Sequence, residues 1–360
     1  MKIYRIGIHD KILTFTEDIS NDVLFESKDK LLEAKCRIDT VDSNQWDYSK
    51  KKNNEYEYIY TSSRKNQNIC SISPVSRSYF KLHEMIVDMH LLKDNINCAC
   101  LAEGPGGFIH CLLDYSKRTN LMIKNIYGIT LISKDRKIPY WNQSIINNPK
   151  NKILFGKDGK GDLYNYETVN TFIETIKENK CHLVTGDGGF DYSEDYNSQE
   201  QSSYKLLYSE IFTALNVQAE GGHFVLKMFD LFHYKTIQLL YLLYCHYSII
   251  EIYKPSTSRL SNSEKYIICS NFLGITEDVK KTLIDQFNHC ENLKIDVPQS
   301  FIDDINKYNE LFVSNQIEII TKVLNCKTTI NRPTKEQILT AKKWCELYKL
   351  PLNTKCIYLK

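Results

Sequence analysis

A repeated passage from apolar strand to turn to helix constrains this chain more than any other feature. It is plainest at Cys98-Ala-Cys-Leu-Ala-Glu103-Gly104-Pro105-Gly106-Gly107-Phe108, which reads as a buried strand running into a glycine-rich turn and then an apolar helix. The same reading predicts strands at 126–131, 152–155, 181–185, 223–229, 248–253 and 265–269. Helices are expected from Ser76 through Leu92, at 169–176, up to about Ala219, and at 234–244. Strands that alternate with helices pair in parallel through right-handed crossovers. The expected fold is therefore α/β and Rossmann-like, a mostly parallel seven-stranded sheet flanked by helices and closed by a hairpin-like pair.

The glycine-rich turn has two readings. Three glycines within four positions let the backbone approach a ligand and take positive φ, and the helix from Gly107 presents unpaired N–H groups. Bland Gly-Pro-Gly-Gly loops also exist. The pattern is neither the dinucleotide fingerprint nor a phosphate loop, since no Gly-Lys-Ser/Thr follows. Ligands of such sheets bind at the carboxyl ends of strands near the topological switch. Both this turn and Asp187, in Gly186-Asp187-Gly188-Gly189-Phe190, fall at such ends.

With 360 residues, 42% of them hydrophobic, the chain can bury a large core. A net charge of +2 neither demands nor excludes nucleic acid. The twelve cysteines are scattered, several in apolar runs (Cys98, Cys100, Cys181, Cys269), which suits reduced thiols in an intracellular, reducing compartment. His and Cys lack ligand spacing, so no metal is expected. The longest apolar run, 237–250, is too short to span a bilayer, and residues 1–8 do not form a signal peptide. Residues 1–70 read as an N-terminal extension. It carries a basic Lys50-Lys51-Lys52 loop, Trp46 packed on the main domain, and an edge strand at Glu55-Tyr-Glu-Tyr-Ile-Tyr60. Residues 71–274 hold the sheet. From 275 to 360, amphipathic helices at 279–287, 301–324 and 335–348 form an appendage packed on the core.

Charge within apolar segments marks the chemistry. Lys227 lies inside Phe224-Val-Leu-Lys-Met-Phe229, a costly position unless the ammonium is paired. Asp187 reads equally as a turn residue, and Lys81, beside the stripe Tyr79, Leu82, Met85, Ile86, Met89, reads alone as a solvated lysine.

Taken in order, Lys81 in Ser76-Arg-Ser-Tyr-Phe-Lys81-Leu, the glycine-rich turn, Asp187, Lys227 in Gly221-Gly-His-Phe-Val-Leu-Lys227-Met-Phe-Asp-Leu-Phe232, and Glu264 in Lys254-Pro-Ser-Thr-Ser-Arg-Leu-Ser-Asn-Ser-Glu264-Lys-Tyr form a pattern. It resembles the Lys-Asp-Lys-Glu tetrad of the FtsJ/RrmJ-type RNA ribose 2′-O-methyltransferases over residues 76–272. The last two segments and Ala341-Lys-Lys-Trp-Cys-Glu-Leu-Tyr-Lys-Leu-Pro351 are most similar to the eukaryotic and large-DNA-virus mRNA cap-1 branch. Abundant Lys, Asn, Ile and Tyr suit an AT-rich, viral source, and with it a cytoplasmic or virion-associated place.

The resemblance implies an S-adenosyl-L-methionine-dependent enzyme that methylates the first transcribed nucleotide of capped mRNA. It implies that Lys227 orients and deprotonates the ribose 2′-hydroxyl, that Lys81 and Glu264 hold and tune it, and that Asp187 sits between cofactor and nucleophile. Neighbouring lysines lower one another's pKa while the carboxylates raise it, so the four would titrate together. The turn Glu103, Gly104, Pro105, Gly106, Gly107 and Phe108 would hold the methionine and ribose, and Asp162 the adenine amino group. The ribose-binding carboxylate common after a second strand is absent from Gly128-Ile-Thr130-Leu-Ile132. Ribosomal or transfer RNA methylation, or a catalytically silent RNA-binding subunit, share the same motifs and stay open. Other capping enzymes or an RNA polymerase are partners the reading admits. Arg77, Lys205 and Arg259 are candidates for phosphates, and aromatics of the extension and of the Phe190–Tyr196 loop for a methylated guanine.

Overall fold

Side chains of each central strand alternate between two buried faces, so no face of the sheet reads as polar. In the computed structural model, which describes residues 2–16, 25–135, 138–189, 199–287, 293–326 and 332–360, eight strands form one sheet in the order β1-β7-β8-β6-β5-β2-β3-β4. They are β1 (Ile3–Arg5), β2 (Ile96–Leu101), β3 (Ile123–Ile129), β4 (Asn151–Ile153), β5 (Cys181–Gly186), β6 (Gln218–Met228), β7 (Tyr247–Tyr253) and β8 (Lys265–Phe272). The strands β6, β5, β2, β3 and β4 pair in parallel; β8, β7 and β1 continue from β6 in antiparallel pairs. The helices are α1 (Glu26–Cys36), α2 (Ser43–Asn53), α3 (Ser78–Met89), α4 (Gly107–Thr119), α5 (Gln143–Ile146), α6 (Tyr166–Ile176), α7 (Gln199–Val217), α8 (Tyr234–His246), α9 (Glu277–Phe287), α10 (Gln299–Asn325) and α11 (Lys335–Leu347).

Period-two geometry splits the core in two. Ala99, Leu101, Val184, Phe224, Leu226 and Ile267 face the layer of α6, α7, α8 and α10. Cys98, Cys100, Leu183, Val225, Tyr266 and Ile268 face that of α3, α4 and α11. Each leucine or phenylalanine fully buried in this way contributes about 1.5–3 kcal/mol. Lys227 is two residues on from Val225 and so points to the α3 side, where Tyr266 is its cross-strand partner.

The Rossmann-like α/β fold is present with one strand more than the seven expected. β1, from the segment read as an extension, pairs with β7 in the same sheet, and Lys254 N–H donates to the Lys2 carbonyl beside it. Glu55–Tyr60 is not an edge strand. Glu57–Ile59 is a 3₁₀ turn in which Glu57 is wholly buried, because its carboxylate is clamped by Arg77 and Arg259 at 3.4 and 3.0 Å. The alternation of Glu and Tyr there does not mark two faces. Lys50–Lys52 lie in the last turn of α2, where cations complement the helix dipole, rather than in a loop. Trp46, on the same helix, packs part-buried on the α10 side of the core. The eleven described cysteines are free thiols, most of them buried. Among the described residues no helix is long and apolar enough to cross a membrane, and no group of three or more His, Cys, Asp or Glu could hold a metal ion.

Candidate active site

The chain leaves β2 toward β3 on one side and reaches β5 on the other, so the topological switch lies between β2 and β5. Above the carboxyl ends of β2, β5 and β6 the structure brings Lys81, Asp187, Lys227 and Glu264 together. Lys81 projects from α3 onto Glu264, with Nζ 2.7 Å from Oε1 and 2.8 Å from Oε2. Glu264 precedes β8, and its Oε1 also accepts from Ser258 Oγ at 2.7 Å. Lys254 Nζ bonds the Asn262 and Glu264 carbonyls, which sets the direction of the 254–264 loop. Burial opposes ionisation of Glu264, yet Lys81, Lys227 and Lys254 hold its carboxyl down at about 2.

Lys227 Nζ donates to the Asp187 carbonyl at 2.7 Å and lies 3.4 Å from Asp187 Oδ1. Burial lowers the Lys227 pKa, but Asp187, Glu264 and Glu210 outweigh it and the net shift is upward. The resting Lys227 is therefore an ammonium. Tyr266, opposite Lys227 in the β6/β8 register, donates its hydroxyl to Asp187 Oδ1 at 2.8 Å. Lysine and tyrosine thus reach one aspartate from adjacent strands.

The sequence reading passed over Tyr266, Glu210 and Glu84. Tyr266 shares the strand period of Ile268, one position off Lys265. Glu210 carries a carboxyl on the buried side of α7, among Leu206, Leu207 and Ala214, and burial pushes it up to about 8. Glu84 is one turn from Lys81 on α3 and accepts from the Ser256 and Thr257 N–H groups, so one helix face fixes both ends of the 254–264 loop. A carboxylate at three- or four-residue spacing within an apolar stripe was the available signal for both.

The glycine-rich turn lies next to this cluster. Glu103 is buried and its two oxygens accept the N–H groups of Phe108 (2.7 Å) and Ile109 (3.4 Å), capping α4. Gly106, Gly107 and Phe108 are also buried; a Cβ at Gly107 would strike the Ser76 and Ser78 hydroxyls, and Phe108 packs on Tyr266. Gly104 and Pro105 are part-exposed. Gly104 N–H donates to Thr130 Oγ1 at 3.2 Å, and a Cβ at Gly161, where φ is +61°, would strike the Thr130 carbonyl. Three backbone segments therefore converge beside Asp162, whose Oδ1 accepts from Tyr164 N–H at 2.9 Å. Arg77 and Arg259 are committed to Glu57, and Lys205 lies over the Tyr164 ring at 4.8 Å. The Phe190–Tyr196 loop lies outside the described residues.

Two lysine–carboxylate pairs lie over the switch point of a Rossmann-like sheet, and residues 74–272, more than half of the chain, match the FtsJ-like methyltransferase family. The chain belongs to that family. It is similar to the mouse cap-specific mRNA (nucleoside-2′-O-)-methyltransferase 1, with 28% identity over 89% of this chain and 41% of the mouse protein. It is likewise 28% identical to the protein of that name from Leishmania braziliensis, over 70% of this chain and 66% of the relative. The chain thus spans less than two thirds of these relatives' length. A solved ribosomal RNA methyltransferase from Plasmodium falciparum is 22% identical, covering 56% of this chain and 99% of its own, at a TM-score of 0.42.

Proposed function

We propose that this chain transfers a methyl group from S-adenosylmethionine to the ribose 2′-oxygen of the first transcribed nucleotide of capped mRNA. The observation that carries the reading is the meeting of Lys81–Glu264 and Lys227–Asp187 at the carboxyl ends of the central strands. The names of the mouse and Leishmania relatives support the choice of substrate.

Bound S-adenosylmethionine would supply an electrophilic methyl carbon on its sulfonium. The protein must then aim an oxygen nucleophile in line and help its proton leave. Lys227, an ammonium at rest, donates to the 2′-oxygen and orients it. The ammonium first releases one proton to bulk water, a loss that desolvation of the site favours, and the neutral amine then takes the proton of the 2′-hydroxyl as its oxygen attacks the methyl carbon. Lys81 fixes Glu264, and Glu264 with Asp187 keeps Lys227 in place. Gly104, Pro105, Thr130 and Asp162 would hold the cofactor: the Asp162 carboxylate suits an exocyclic amino group, and Gly104 without a side chain lets the Pro139 carbonyl and Thr130 close beside it. Glu103, Gly106, Gly107 and Phe108 shape that wall from beneath. Residues 71–274 carry the chemistry in this reading, with 1–70 and 275–360 shaping the RNA side.

The test is methyl transfer from labelled S-adenosylmethionine to short RNAs with and without a methylated cap, followed by nuclease digestion. The reading expects cap-dependent label on the first nucleotide's 2′-oxygen, absent in Lys227→Ala. Equal label on uncapped RNA would move the substrate to ribosomal or transfer RNA.

A further inference from the structure

The peptide group between Asp187 and Gly188 is gripped at both ends. Its carbonyl accepts from Lys227 Nζ at 2.7 Å, and its N–H donates to Glu210 Oε1 at 3.1 Å. A peptide is planar, so neither end turns without the other. Hydrogen bonds joined in series through one peptide also polarise one another.

Glu210 is fully buried on α7, and the Gly186–Gly189 loop closes directly onto its carboxyl. A Cβ at Gly186 would lie 3.0 Å from the carboxyl carbon, and one at Gly188 2.7 Å from Oε1. Its second oxygen, Oε2, is buried with no hydrogen-bond partner among the described residues. A buried polar atom without a partner is destabilising, a cost an apolar residue on this helix would avoid. Burial raises the Glu210 carboxyl to about 8, although Lys227 and the Gly188 N–H lower it.

We propose that Glu210 is a positioning residue for Lys227: by holding the Gly188 N–H it fixes the Asp187–Gly188 peptide and so aims the carbonyl that seats the Lys227 ammonium. The inference rests on the methyl-transfer reading for its consequence, though the grip itself belongs to the ligand-free protein. Among the described residues Lys227 and Asp187 are the charged groups that act on the carboxyl, from β6 and from the loop, and Leu206, Leu226 and Ala102 pack around the same loop.

Glu210→Gln keeps an oxygen acceptor in place without charge, whereas Glu210→Met keeps volume and removes the acceptor. Both are compared with the wild type in methyl transfer to capped RNA and, without ligand, in amide hydrogen exchange at Gly188. Glu210→Gln is expected to stay within about threefold of wild-type kcat, with Gly188 protected. Glu210→Met is expected to lose about 10- to 100-fold in kcat while KM for S-adenosylmethionine moves less than about threefold, and to speed Gly188 exchange. Wild-type kcat and exchange in Glu210→Met overturn the proposal, as does a Glu210→Gln variant as impaired as Glu210→Met. Should Glu210→Met not fold, Glu210→Gln decides alone: a protected Gly188 with near-wild-type kcat supports the grip, and a folded protein with an unprotected Gly188 overturns it. A wild type without turnover would count against the methyl-transfer reading, while Gly188 exchange would still decide the grip.

Discussion

Lys81 and Glu264, 183 positions apart, meet in a two-pronged contact in which Nζ lies 2.7 and 2.8 Å from the two carboxylate oxygens. Both side chains are largely shielded from water, so this pair is screened far less than a surface ion pair. Its carboxylate also favours the charged forms of both Lys227 and Lys254.

Removing Lys227 should end chemistry without ending the fold. Lys227→Met keeps the length of the side chain and leaves Asp187 bonded to Tyr266. Initial rates on capped RNA should fall by about 10²–10⁴-fold, the range of general acid–base and orienting groups, while S-adenosylmethionine affinity measured by calorimetry changes little. A folded variant within tenfold of wild type would falsify the role given to Lys227.

The Glu264 carboxyl, held at about 2 against an ordinary 4.5, links stability to acid. A depressed carboxylate contributes fully above its unfolded value and loses its contribution as pH falls through the folded one. The shift corresponds to about 3 kcal/mol, present above pH 4.5 and lost toward pH 2. Urea titrations at several pH values should show Glu264→Gln less stable than wild type near neutrality, with the gap narrowing across that window.

His83 acts in an adjoining window. It is buried, its Nε2 lies 2.9 Å from the Tyr348 carbonyl, and burial lowers its pKa to about 4 from 6.5. A histidine kept neutral in the fold stabilises above the unfolded pKa, and that stability drains away as pH falls from 6.5 to 4. His83→Gln, which can still donate to Tyr348, should flatten this part of the stability–pH curve without abolishing the slope, since His182 is lowered to about 4 as well.

Two glycine substitutions separate strain from collision. Gly106 has φ +105° and an added Cβ would sit 2.7 Å from Ile145 Cγ1, whereas Gly159 has φ +71° with nothing within 4 Å. Gly159→Ala should cost about 1 kcal/mol, the backbone contribution alone. Gly106→Ala should cost about 1–3 kcal/mol more, because Ile145 must move. Thermal melts of the two variants measure the difference, and equal melting points would discard the collision.

Breaking the clamp at Glu57 should loosen the segment ahead of α3. Glu57→Gln leaves the part-buried Arg77 and Arg259 without their shared carboxylate, a loss of about 1–3 kcal/mol, below that of a fully buried pair because both guanidinium groups reach solvent. The midpoint of urea unfolding reports it, and an unchanged midpoint would mean that the Tyr60 and Thr257 carbonyls suffice to hold Arg77.

The strands from 98 to 269 and the long helices were legible because hydrophobic period is a local property of the chain. Lys227 stood out for the same reason, a cation inside an apolar strand. Residues whose meaning depends on a distant partner were not legible. Glu57 looks like half of an alternating pair until Arg259 closes on it, and Arg259 looks like a phosphate contact until Glu57 does. Tyr266 is one more aromatic in a strand unless the register sets it opposite Lys227. Three residues at Ile3–Arg5 are too few to show a period, so only pairing with β7 makes them a strand.

The place of β8 bears on how the molecule assembles. Made after β6 and β7, it lies between them and hydrogen-bonds to both. A nascent or refolding chain in which those two strands zipped together directly would leave no slot for it, and Glu264 and Tyr266 would never come opposite Lys81 and Asp187. Non-local pairing of this kind is slow to form. Regain of catalytic competence should therefore lag behind regain of secondary structure, and the lag should lengthen whenever β8 is weakened.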